Sequence, residues 1–303
     1  MKKTVSAAAL ALGSSSAILC GELYRHVFCR GGSPVLTPLL DKKGHEEDYY
    51  RHRDSAAEIL RASPRQSFTR RSAKGELLRG FYYPGSGEGK RIAFLVHGYR
   101  SEHTETAGMY WDYYRSRGFD LFCCDHAAHG ESEGHFIGFA VPESEECLGW
   151  LDFLIGHFGS EVQIVLHGFS MGAAVVMKMA DRCPPQVKFM IEDSGYRDAQ
   201  IQLSGQLGKL YPVLRLMHRC IAGIDLANGD VQPHLARARV PILFVHGRDD
   251  PSVPFENGPL LFEQYGGEKD CLFIDGARHV ECFHRAPEAY AAKIDHFLSC
   301  YLN

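Results

Sequence analysis

The stretch "LHGFSMGAAVVMKMA", residues 166–180, sets a serine between two glycines where an apolar run meets a run of small, helix-forming residues. A serine at an ordinary helix start is a cap and needs no flanking glycines. Gly168 and Gly172 instead describe a tight strand-to-helix turn, in which the backbone at Ser170 is strained and its neighbours two positions away must be small. Such a turn lifts the serine hydroxyl above the sheet edge. It also aims the N–H of Met171 and the helix N-terminus at any oxyanion formed there. The five-residue pattern alone is weak, and its place between strand and helix gives it weight.

A serine hydroxyl needs a histidine to take its proton and a carboxylate to hold that histidine. Both are expected later in the chain, each just after a strand. "PILFVHGRDDPSVP" (241–254) runs from a strand into a loop with Asp249 and Asp250. "CLFIDGARHVECF" (271–283) does the same with His279. The order Ser, Asp, His is the one expected of the α/β-hydrolase arrangement.

Outward from these loops the chain alternates. Apolar runs stand at "IAFLV" (92–96), "DLFCC" (120–124), "VQIVL" (162–166), "VKFMI" (187–191), "PILFVH" (241–246) and "CLFID" (271–275). Helical patterns lie between them, clearest at Ser144–Phe158, Met171–Asp181 and Pro287–Tyr301. Short continuous apolar strands alternating with helices predict an α/β protein, its mostly parallel sheet covered by helices on both faces. Ahead of it, "SFTRRSAKGELLRGFYYPG" alternates around Lys74-Gly75 and predicts an antiparallel hairpin at one edge. The connection at about 196–236 is far longer than a crossover helix needs, which predicts a small helical cap over the carboxyl edge, where open α/β sheets bind ligands.

Five motifs in this order make the chain resemble the serine α/β-hydrolases over residues 66–302: "LVHGYRSE", "DHAAHGESEG", "HGFSMGA", "HGRDDPSVP" and "GARHVECF". It looks most like the bacterial esterase and acyl-hydrolase branch that carries a short N-terminal membrane segment. The resemblance implies Ser170 as nucleophile, His279 as proton relay and Asp250, rather than Asp249, as the acid. It implies an oxyanion hole from the N–H groups of Tyr99 and Met171, with His97 and Gly98 supporting the turn. "DHAAHGESEG" departs from the usual Asp-x-Arg-Gly-His-Gly, which bears on substrate detail and not on the triad. The implied activity is cleavage of a small acyl ester, or else a thioester or amide, through an acyl-enzyme and without a cofactor. An acyltransferase or peptidase on the same scaffold is the chemical alternative, and a non-catalytic binding protein of this fold is the alternative from another class.

Composition narrows the partners. With 303 residues, 45% of them hydrophobic, and a net charge of −4, the chain can bury a large core and shows no electrostatic footprint for nucleic acid. The basic cluster at Arg61–Arg71 reads as a solvated surface. Ten cysteines without a Cys-x-x-Cys, several in apolar runs, read as small core hydrophobes and not as disulfides or zinc ligands. His126, His129 and His135 stand close together but lack a usual zinc spacing, so no metal is expected.

The N-terminus predicts attachment. Lys2 and Lys3 precede an uncharged run, Thr4–Cys20, somewhat short of the ~20 residues of a comfortable span. Residues 1–20 read first as an uncleaved anchor, then as a cleaved signal, then as a cytosolic amphipathic helix. Positive-inside bias places the catalytic domain outside the cytoplasm, secreted or cytoplasmic protein being the alternatives. Arg25, Arg30 and the unpaired cysteines pull against that orientation. Residues 21–65 read as a linker and helical extension packed on the main domain (66–303), with one helix around Gly44–Arg61.

Overall fold

The apolar runs form one eight-stranded sheet: β1 (Gln66–Arg71), β2 (Leu77–Tyr83), β3 (Arg91–Val96), β4 (Asp120–Asp125), β5 (Gln163–Phe169), β6 (Val187–Asp193), β7 (Ile242–Gly247) and β8 (Lys269–Ile274). Its order is β1-β2-β4-β3-β5-β6-β7-β8. Strands β3 to β8 are parallel, and β2 runs antiparallel to both β1 and β4. The computed structural model describes residues 17–37, 45–85 and 88–302. The hairpin turns at Gly75, whose φ of 87° suits a residue without a Cβ, and its N–H donates to the Ser72 carbonyl at 3.0 Å.

Helices cover both faces, so β4 and β7 are buried at every position and read as continuous apolar runs instead of alternating ones. The helices Val141–Phe158 and Met171–Met179 close one core around Trp150, Phe122 and Leu166. On the other face, His103–Arg115 and Pro287–Tyr301 close a second core around Tyr114, Phe189 and Tyr290. From β3 the chain crosses one way to β4 and then back to β5. The crevice outside the carboxyl ends of β3 and β5 is therefore the topological switch point, where this architecture places ligands.

The predicted cap is helical: Ala199–Leu207, Tyr211–Ala222 and short turns follow β6 before β7 begins. Residues 21–65 do more than link. A helix over residues 17–28 buries Tyr24 and Phe28, and the Phe28 ring stacks on His218 of the inserted helix at 4.4 Å. A second helix, Glu47–Ala62, lies on His103–Arg115. Of the expected anchor, residues 1–16 lie outside the described residues, and 17–20 belong to the helix that continues to 28. Among the described residues no helix is long and apolar enough to cross a membrane.

Gly108 is the point of closest approach between the helices Glu47–Ala62 and His103–Arg115. A Cβ there would stand 2.6 Å from the Ala56 carbonyl oxygen and 2.8 Å from the Ala57 nitrogen. Two backbones cannot retreat as a flexible side chain can. Gly108→Val is therefore expected to destabilise the protein by about 2–3 kcal/mol, measured by urea unfolding. An unchanged midpoint would show that the N-terminal helix is not docked in this way.

Candidate active site

Ser170 sits between β5 and the helix Met171–Met179 at φ 55°, ψ −116°, a conformation a side chain rarely adopts. The glycines explain how it is held there. A Cβ on Gly168 would run into the Gly172 carbonyl, and one on Gly172 into the carbonyl of Val96 at the end of β3. The Ser170 N–H donates to the Asp193 carbonyl at 2.8 Å, and the Ala174 N–H to the Ser170 carbonyl at 3.2 Å. The turn is fixed from both sides.

The three residues named from separate motifs meet. His279 Nε2 lies 2.8 Å from Ser170 Oγ, and His279 Nδ1 lies 2.6 Å from Asp250 Oδ2. Asp250 Oδ1 accepts the N–H groups of Ser252 and Val253 at 2.8 and 2.9 Å, which pins the carboxylate. Burial alone would raise its pKa. Hydrogen bonds from His246 and His279 outweigh that and hold it well below the usual carboxylate range. Asp249 is exposed and does not take part.

The loop after β3 brings Gly98 against the serine, where a Cβ would stand 3.2 Å from both the Phe169 carbonyl and Ser170 Cβ. Tyr99 and Met171 line one cavity with Ser170 and His279. His97 lies at this turn: its Nδ1 is 2.8 Å from the Gly98 carbonyl, and its Nε2 accepts the His126 N–H at 3.1 Å. Burial pushes the His97 imidazole down to about 3, so it is neutral and serves as an acceptor. His129 Nε2 accepts the Arg100 N–H at 3.1 Å in the same manner. His135 stands apart on the surface.

Two cavities open on Ser170. One, about 300 Å³, is lined by Val27, Phe139, Tyr196, Leu203 and Val253, so it draws on the N-terminal helix and the insert as well as the core. The other, about 180 Å³, is more polar and lined by His45, Arg53, Arg100 and Glu105. A cleft of about 530 Å³ lies elsewhere, between β1–β2 and the helix Val141–Phe158, and neither Ser170, Asp250 nor His279 lines it.

A buried polar network beneath the site escaped the sequence reading. Ser194 Oγ accepts the Val280 N–H at 3.1 Å and donates to Asp193 Oδ1 at 2.8 Å. Tyr290 donates to Asp193 Oδ2 at 2.9 Å and in turn accepts from His167 Nε2 at 2.9 Å, which leaves Nδ1 to accept from Tyr114 at 3.1 Å. Val280, next to His279, has φ 57°, a strained position for a β-branched residue. The network clamps it there. A buried aspartate two residues before a glycine after a strand was the only available signal, and it is not specific.

Comparison with known proteins follows this geometry. The profile of one family, serine aminopeptidase S33, matches residues 87–229, just under half of the chain. The uncharacterized protein YqkD of Bacillus subtilis (strain 168) is 22% identical across 95% of this chain and 96% of its own length. Among solved structures, the esterase Pf2001 of Pyrococcus furiosus superposes with a TM-score of 0.66 at 17% identity, over 80% of this chain and 94% of that one. Est1E of Butyrivibrio proteoclasticus, solved with ferulic acid bound, gives 0.61 at 19% identity, over 77% and 98%. The sheet order and these neighbours make this the α/β-hydrolase fold.

Burial raises the Asp193 carboxyl to about 6, against the hydrogen bonds from Ser194 and Tyr290 that lower it. The folded state keeps this proton up to about pH 6, while an unfolded aspartate releases it near ~4. The stabilisation by the bound proton is thus full below pH 4 and lost as pH rises through 6, about 2–3 kcal/mol in all. Subtracting the urea stability of Asp193→Asn from that of the parent across pH 4–8 should isolate this slope. A pH-independent difference would contradict it.

Proposed function

We propose that this α/β-hydrolase-fold protein is a serine hydrolase that cleaves carboxylic esters through an acyl-enzyme. The hydrogen-bonded chain Ser170–His279–Asp250 is the observation that carries the reading. Ser170 Oγ attacks the ester carbonyl while His279 Nε2 takes its proton. Asp250 holds the imidazole by Nδ1–H and stabilises the imidazolium. The N–H groups of Tyr99 and Met171 receive the oxyanion. The histidine then returns its proton to the departing alcohol, and water activated by the same histidine releases the acid.

The 300 Å³ cavity, lined by Gln202 and Gln206 as well as Val27 and Leu203, suits a compact acyl or alcohol group of mixed character, and the more polar one a group that remains hydrated. The esterase neighbours support ester cleavage. The aminopeptidase profile brings in a second reading, amide cleavage on the same triad.

Ser170→Ala should keep the fold, lower turnover of p-nitrophenyl esters by several orders of magnitude and abolish labelling by a fluorophosphonate probe. Near-parental turnover by the pure variant would remove the mechanism. Graded acyl lengths set beside aminoacyl p-nitroanilides separate the two readings. Asp250→Asn should cost far more activity than Asp249→Asn, since only the former disturbs the histidine's tautomer. The reverse ranking would reassign the acid.

Membrane attachment through residues 1–20 belongs to the same proposal. Ile18, Leu19, Ile201, Val213, Leu216 and Ile221 are all exposed, on the N-terminal and inserted helices that meet at Tyr24 and His218. They add apolar surface to the run Thr4–Cys20, in keeping with attachment to a membrane surface. Cell fractionation followed by protease treatment of intact cells checks it. Recovery of the full chain in the cytosol would end the attachment reading, and a protected membrane-bound chain would reverse the orientation.

A further inference from the structure

At the end of β4, on the side away from Ser170's own turn, a second cluster of reactive side chains has no role in the hydrolase chemistry. Cys124 and His126 are two residues apart and so project to the same face. That face is covered by the helix Val141–Phe158, which supplies Cys147 and Glu146. One ligand atom from each of Cys124, His126 and Cys147 lies within 4.8 Å of the others, and all three residues are buried.

The polar atoms here are unusually short of partners. His126 is fully buried, yet neither ring nitrogen makes a hydrogen bond. Its Nδ1 stands 3.4 Å from Glu146 Oε2, which accepts the Ala127 N–H at 3.2 Å, while Glu146 Oε1 has no hydrogen-bond partner. Glu143 Oε2, on the same helix, is likewise unpartnered. Leaving such groups unsatisfied costs roughly 1–3 kcal/mol each. Reading the two cysteines as small core hydrophobes accounts for the thiols but leaves the imidazole and the carboxylates without an explanation. A cation among them gives one imidazole nitrogen and both thiols a partner.

We propose that Cys124, His126 and Cys147 bind a zinc ion. Two sulfurs and one imidazole nitrogen are a donor set that favours zinc over the oxygen-seeking cations. Binding releases the two thiol protons to solvent as the zinc–sulfur bonds form. The 530 Å³ cleft reaches the neighbouring residues Ala127 and Glu146. The ion ties the end of β4 to the helix Val141–Phe158. Because the His126 N–H donates to His97 Nε2, it also stiffens the loop that presents Tyr99.

The test uses the full chain carrying Cys220→Ser and Cys300→Ser, because both thiols are exposed and Cys300 Sγ lies 3.8 Å from His296 Nε2, a surface site for stray metal. Protein purified from zinc-supplemented medium without chelator should hold about one zinc per chain by elemental analysis. Chelation should lower its melting temperature, and zinc should restore it. After chelation, cobalt(II) should give the intense thiolate-to-cobalt absorption, which Cys147→Ser and His126→Gln each lose. Circular dichroism identifies a variant that has failed to fold, and the other variant then decides. Zinc-free protein that gives no thiolate–cobalt band would overturn the proposal. So would a band that survives in whichever of the two variants is folded.

Discussion

The candidate site depends on one steric constraint, the approach of the helix Met171–Met179 to the end of β3. Gly172 touches the Val96 carbonyl so closely that any Cβ would collide with it, and Gly168 meets Gly172 in the same way. Those contacts force the chain to reverse at one residue. Ser170 accepts the unfavourable φ of 55°, a cost of about 1–3 kcal/mol. The strain places the hydroxyl at the crevice and the first helical N–H groups beside it. Every other part of the site is arranged around a serine that cannot move away.

His279 is held by a different means. It stands on a loop, and loops do not fix side chains unless something beneath them does. Here the support is the Ser194–Asp193–Tyr290–His167–Tyr114 chain, drawn from β5, β6 and two helices on the face of the second core. A fully satisfied buried network is rigid because each member would lose a hydrogen bond by moving. Asp193 also accepts the Ser170 N–H through its carbonyl. One residue therefore braces the loops of both Ser170 and His279.

The roof is built differently from the floor. The floor is sheet edge, whereas the walls over Ser170 come from the N-terminal helix and the insert, joined by the Tyr24–His218 hydrogen bond and the Phe28–His218 stack. Tyr99 connects the two levels, since its hydroxyl donates to the Val27 carbonyl at 2.9 Å while its ring stacks on Phe139. Reacting groups on rigid elements, with selectivity left to helices that vary in length and contact, is the usual division of labour on a scaffold that hosts many chemistries.

The sequence by itself determined the parallel sheet, its edge hairpin, the helical insert and the serine turn, because each is written in local pattern: strand-length apolar runs, a Lys-Gly turn, an over-long connection, two glycines at fixed offsets. The choice of Asp250 over Asp249 came from the resemblance to the α/β-hydrolases, and in the structure it is Asp250 that lies 2.6 Å from His279. Tertiary structure alone decided which side chains meet. His126 was grouped in sequence with His129 and His135, yet in space it faces Cys124 and Cys147 from another element. Residues 21–65 looked like a linker with a helical extension because their apolar positions are few, although Tyr24 and Phe28 are fully used against the insert. Periodicity reports which face of an element is buried. It carries no information about what that face is buried against, and that is where the polar network and the walls of the cavity were settled.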